Sequence, residues 1–69
     1  MNHNVELFCE ISGIYLNKYP VSGKVINMWK TLNMNNAYRV KLVTPEILFD
    51  NLHEEVILFE EDIISANHP

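Results

Sequence analysis

The sequence predicts a mainly β fold, a small five-stranded barrel with at most one short helix, in a single domain over residues 1–69. Apolar residues alternate with polar ones in several segments, which is typical of half-buried strands. Clusters of Asn, Gly and Pro separate these segments at short intervals. A chain of 69 residues is too short for a second domain. Closure into a barrel is expected because it removes the exposed edges of a flat sheet.

The first two strands are predicted on either side of a turn at 17–20. In the first, apolar residues alternate with acids and one aromatic: Val5, Leu7, Cys9 and Ile11 against Glu6, Phe8 and Glu10. Gly13 within this pattern predicts a bulge or bend. Pro20 favours the turn because it fixes φ and lacks an N–H donor. The second strand then begins near Val21 or Lys24.

An asparagine-rich turn at 33–36 predicts a hairpin between the second strand and the third, at Tyr38–Val43. Thr44-Pro45-Glu46 is a helix-start pattern and predicts one or two helical turns ending by His53, with a brief strand at 47–49 as the alternative. Val56–Phe59 is an apolar run typical of a buried strand. A turn or 3₁₀ step at 60–62 precedes a last short strand at Ile63-Ile64.

The strand order resembles that of SH3-like barrels of the Tudor and KOW type. The resemblance depends on the Gly23-Lys24-Val25 strand, the Tyr38–Val43 strand and the acidic step at 60–62 before Ile63-Ile64, and it covers about 21–65. It implies a small barrel, and the Thr44-Pro45 helix start departs from its pattern.

Charge is distributed unevenly along the chain. All five basic residues lie between 18 and 41, where there is no acid, and the nine acids flank this block, for a net charge of −4. The single cysteine cannot form an internal disulfide, which favours a reducing cytoplasm. We find no signal peptide and no apolar run of the ~20 residues that a membrane helix needs. The asparagine-rich composition favours a bacterial or phage source.

Three aromatic residues are the candidate partner-binding residues: Phe8, Trp29 and Tyr38. Trp29 has the opposite parity to Ile26 and Met28 in the second strand. It is therefore either an exposed anchor, as expected at binding hot spots, or a core residue of a strand that bends. We favour the anchor, because Ile26 and Met28 already supply one apolar face.

The basic block offers an alternative, a nucleic-acid-binding surface around Trp29 and Tyr38, with Lys24, Lys30, Arg39 and Lys41 neutralising phosphates. The competing interpretation pairs these cations with acids on neighbouring strands. We favour internal pairing, because nine acids in so short a chain would repel a polyanion.

No pattern predicts an enzyme, a cofactor or a catalytic residue. The histidines, His3, His53 and His68, lack metal-ligand spacing, and no Cys-x-x-Cys pair exists, so no metal site is expected. The sequence therefore predicts a non-enzymatic interaction module, acting as an accessory or inhibitory protein on a larger protein. A homodimer is also expected, because so small a core gains stability from a neighbour.

Overall fold

The computed structural model describes residues 5–67. Five antiparallel strands form one sheet in the order β4-β3-β2-β1-β5. The strands are β1 Glu10–Tyr15, β2 Tyr19–Lys30, β3 Asn36–Leu48, β4 Asn51–Phe59 and β5 Ile63–Asn67, with a 3₁₀ turn at Glu60–Asp62 before β5. The mainly β prediction, the five strands and the 3₁₀ step are confirmed. The sheet is not closed, because β4 and β5 lie at its two ends.

One face of the sheet forms the core. Its central side chains alternate along β2, β3 and β4 and are almost fully buried: Val21, Val25, Tyr38, Val40, Leu42, Val56 and Leu58. We call this the core face and the opposite side the outer face. The register of β2 and β3 shifts between Val25 and Asn27, so one extra residue of β2 reverses the parity of the rest of that strand. The core residue of β2 is therefore Val25, whereas Ile26 lies at the bulge.

Gly13 allows a close approach between two elements of the fold. A Cβ on Gly13 would lie 3.1 Å from Leu58 Cδ1 and 2.5 Å from the Asp62 carbonyl oxygen. β1 and β4 are not neighbours in the sheet, so the sheet bends far enough to bring them together over the core. The register of β1 and β5 shifts at Gly13, but the extra residue is Ile64 of β5, and β1 pairs regularly with β2 through Gly13, so the predicted irregularity lies on the strand opposite.

The predicted helix after Thr44 is wrong. β3 continues to Leu48 and pairs with β4 across a two-residue turn at Phe49 and Asp50, both with positive φ. Two consecutive residues of positive φ form the type I′ geometry that suits tight hairpins. Pro45 is tolerated because the β3–β4 register is interrupted between Lys41 and Glu46, where no ladder donor is needed.

The first strand begins later than predicted, at Glu10. Val5 and Cys9 are buried as expected, whereas Leu7 is exposed. Phe8 has φ 67°, and its N–H donates to the Val25 carbonyl, 2.7 Å away, while the Val25 N–H donates to Cys9 O at 2.9 Å. This is a bulge opposite Val25, and it ends the simple alternation of the sequence.

Candidate interaction surface

A row of apolar side chains crosses three strands on the outer face. Trp29 of β2 is directly opposite Ala37 of β3, which is directly opposite Phe59 of β4. Trp29 is 39% exposed and Phe59 38%, whereas Ala37 has no exposed surface. The small residue between the two aromatics is completely shielded from solvent. We call these three residues the aromatic row; they lie on the side of the sheet away from the core.

The next row on the outer face is mixed in character. Asn27 is opposite Arg39, and Arg39 is opposite Ile57, whose side chain is partly exposed. Arg39 Nε lies 4.0 Å from Glu55 Oε1, and both side chains are about half exposed. A surface ion pair of this kind stabilises the fold weakly. The aromatic row thus has an arginine with a carboxylate partner at its border.

Charges of both signs form the third row. Glu10 of β1 is opposite Lys24 of β2, Lys24 is opposite Lys41 of β3, and Lys41 is opposite Glu55 of β4. Each lysine therefore has a carboxylate opposite it on one side and the other lysine, a like charge, on the other. The carboxylates in register support the internal-pairing interpretation, and the ion pair formed among the described residues is that of Arg39 with Glu55.

Tyr38 cannot be a surface contact, and this part of the predicted binding set is corrected. Its side chain is 1% exposed and lies on the core face opposite Met28 and Leu58. Burial raises the pKa of the Tyr38 hydroxyl, and the charge of Glu60 raises it further, while a hydrogen bond with the Asn36 side chain partly offsets both. Its parity agrees with that of Val40 and Leu42, which also face the core.

Lys30 lies on the opposite side of the sheet from Trp29. It pairs with Asn36 in register, and its Nζ donates to Asn36 Oδ1 at 3.1 Å. Asn36 Nδ2 in turn donates to Glu60 Oε1 at 2.9 Å. The predicted cluster of four cations around Trp29 and Tyr38 is therefore divided, with three cations on the outer face and Lys30 in a polar network at the sheet end.

Phe8 is exposed, at 57% of its surface, as the sequence predicts. It lies on the bulge opposite Val25, four residues along β2 from Trp29, and not in the aromatic row. The structure therefore exposes two of the three predicted aromatics without joining them into one row. The aromatic partner of Trp29 is Phe59.

The sequence prediction missed Phe59 and Ile57 because Val56–Phe59 was interpreted as a buried strand. The alternation of faces within this run already indicates that Ile57 and Phe59 are exposed. Consecutive residues of a strand point to opposite faces, so a sheet covered on one side must expose every second residue of such a run. Val56 and Leu58 occupy the core, and Ile57 and Phe59 are left on the outer face.

Within residues 5–67, no group of three or more His, Cys, Asp or Glu side chains is arranged to hold a metal ion. His53 is half-buried, and His3 and His68 lie outside the described residues. None of the helical structure in the described chain is long and apolar enough to cross a membrane. Comparison with protein families, with curated proteins and with solved structures finds no match to this chain.

Proposed function

We propose that the protein is a non-enzymatic interaction module, which acts as an accessory or inhibitory protein on a larger protein. The observation that carries this proposal is the aromatic row: two large rings on the solvent side of a sheet, over a fully buried alanine. Aromatic residues are enriched at protein interfaces, and tryptophan is enriched among binding hot spots. A partner would remove the exposed part of both rings from water, which would stabilise a complex.

The proposal includes the SH3-like barrel implied by the sequence resemblance. Its support is the bend that brings Gly13 of β1 against Leu58 of β4. In such a small barrel the outer face of the central strands is rigid. Trp29 lies on β2 and Ala37 on β3, both paired on two sides in the sheet, so little backbone freedom would be lost there on binding.

A nucleic-acid-binding function is the second candidate. Its support is that Lys24, Arg39 and Lys41 share the outer face with Trp29, which could stack on a base. Two observations weaken it. Glu10 and Glu55 flank the lysines in register, and Lys30 and Tyr38 lie on the core face or at the sheet end.

The experiment that tests the proposal is capture of a partner from the native host by the wild-type protein and two variants. Trp29→Ala removes one ring of the aromatic row, and Met28→Ala removes the neighbouring side chain on the other face, which has a similar exposure. We expect the partner to be retained by wild type and Met28→Ala and lost by Trp29→Ala. Equal retention by both variants would contradict the proposal.

Titration with labelled single-stranded and double-stranded nucleic acid separates the two candidates. Phosphate contacts make affinity fall steeply with salt. Absence of binding at ~50 mM salt removes the nucleic-acid function. Binding that falls steeply with salt, and that is lost in Lys24→Glu, would replace the first proposal with the second.

A further inference from the structure

The β4 edge of the sheet is an open strand beside a hollow. β4, Asn51–Phe59, pairs with β3 on one side and has no strand partner on the other among residues 5–67. Every second residue of such an edge turns its N–H and C=O away from the sheet. A strand of nine residues without proline offers a template for another strand.

The hollow lies along the middle of this edge. It has a volume of about 390 Å³ and is lined by three consecutive β4 residues, Glu55, Val56 and Ile57, together with Arg39 and Tyr15. Tyr15 belongs to β1, the strand that the bend of the sheet brings toward β4. β4 has no strand partner on this side among residues 5–67, so its edge can take a further strand.

The charge of this edge determines which segment fits. β4 and the 3₁₀ turn carry five carboxylates and neither lysine nor arginine: Glu54, Glu55, Glu60, Glu61 and Asp62. Antiparallel pairing of two copies along β4 would place the carboxylates of both chains within a few residues of one another, and like charges across strands are destabilising. A basic segment instead places cations opposite these acids.

We propose that the β4 edge binds an extended basic segment of the partner protein by strand addition. The segment has lysine or arginine opposite Glu54 and apolar residues opposite Ile57 and Phe59, the second of which continues the aromatic row by one strand. Main-chain hydrogen bonds supply affinity, and the alternating side chains supply specificity. This inference rests on the proposed interaction function and identifies the chemistry of its partner.

The probe is a synthetic peptide as long as β4 in which valine and lysine alternate. Three matched peptides control for composition, charge and backbone: the same residues in two blocks, glutamate in place of lysine, and N-methylation of alternate amides. Binding is followed by Trp29 fluorescence, and its location by hydrogen exchange of the backbone amides. We expect at least about tenfold tighter binding of the alternating peptide than of any control, with new protection confined to β4.

Two variants with the same change in net charge separate a local from a general effect of charge. Glu54→Lys alters the β4 edge, and Glu10→Lys alters the exposed outer face of β1. We expect Glu54→Lys to weaken peptide binding about tenfold and Glu10→Lys to have little effect. The inference would be overturned by equal effects of the two variants or by equal binding of the block peptide. It would also be overturned if protection appeared at β5, or if a second copy already protected the β4 edge. If strand addition is overturned but Trp29→Ala still loses the native partner, the proposed interaction function stands without the strand-addition inference.

Discussion

Trp29 and Phe59 lie on either side of Ala37 in one row across β2, β3 and β4, and the alanine between them is completely shielded from solvent. This relationship joins residues that are distant in the chain into a single surface. It also means that each ring packs against the sheet on one side and faces solvent on the other. Stability and binding therefore respond differently to changes in this row.

Trp29→Ala should lower the free energy of unfolding by only about 1 kcal/mol, because the ring is partly exposed. Leu58→Ala, in a fully buried side chain, should cost about 2–5 kcal/mol. Urea denaturation of the two variants measures the difference. A Trp29→Ala variant that fails to fold would show that the ring stabilises the sheet as a core residue does.

Ala37→Val should destabilise the protein by about 1–3 kcal/mol, because the added methyl groups must displace one of the flanking rings. Replacing the exposed Thr44 of β3 by valine, which introduces the same side chain, should stay within about 0.5 kcal/mol. Thermal unfolding of both variants tests the packing of the row. An unchanged midpoint for Ala37→Val would mean that the rings do not cover the alanine.

Gly23→Ala should be strongly destabilising. A Cβ at this position would overlap the Lys41 carbonyl oxygen and Val40 Cγ1, and β3 would have to move away from β2. We expect a cost of about 1–3 kcal/mol. Ser22→Ala is the neighbouring control, since it removes only an exposed hydroxyl that shares a hydrogen bond of 3.0 Å with Ser12. Denaturant curves in which the two variants are equally stable would contradict the close approach of the strands.

Stability should fall at alkaline pH because of Tyr38. Its pKa in the folded protein is raised above the ordinary 10.0, mainly by burial, so the folded state keeps a proton that the unfolded state loses. The stabilising effect is fully present below the unfolded pKa and is lost as pH rises through the folded one. Denaturation between about pH 9 and pH 11 should therefore show a declining free energy of unfolding. Tyr38→Phe should reduce this decline, and an identical pH dependence would assign it to other groups.

Self-association is expected from the size of the chain and from its two sheet edges. A homodimer at micromolar concentration is predicted from the small core. The β5 edge, Ile63–Asn67, carries no charged residue and can pair with its own copy at no electrostatic cost, unlike β4. Light scattering should report a dimer that Ser65→Lys converts to a monomer. A monomer at every accessible concentration would contradict the prediction.

The β class, most of the strands and the exposure of Phe8 could be predicted from the sequence, whereas the exposure of Trp29 depends on the bulge at Ile26. Alternation is a local property, and residues such as Tyr38, Val40 and Leu42 reveal it wherever one face of a strand is buried. The 3₁₀ step is also local, since the acids of a turn act within a few residues.

The end of β3 and the meeting of Trp29 with Phe59 depend on pairing between distant strands. The Thr44-Pro45 helix signal is real in sequence, but pairing with β4 outweighs a local propensity when a hairpin is available. The bulge at Ile26 reverses the parity of β2, and nothing in the alternation of 21–30 reveals it. Trp29 and Phe59 become neighbours through the register of three strands, which depends on long-range pairing and not on their positions in the chain.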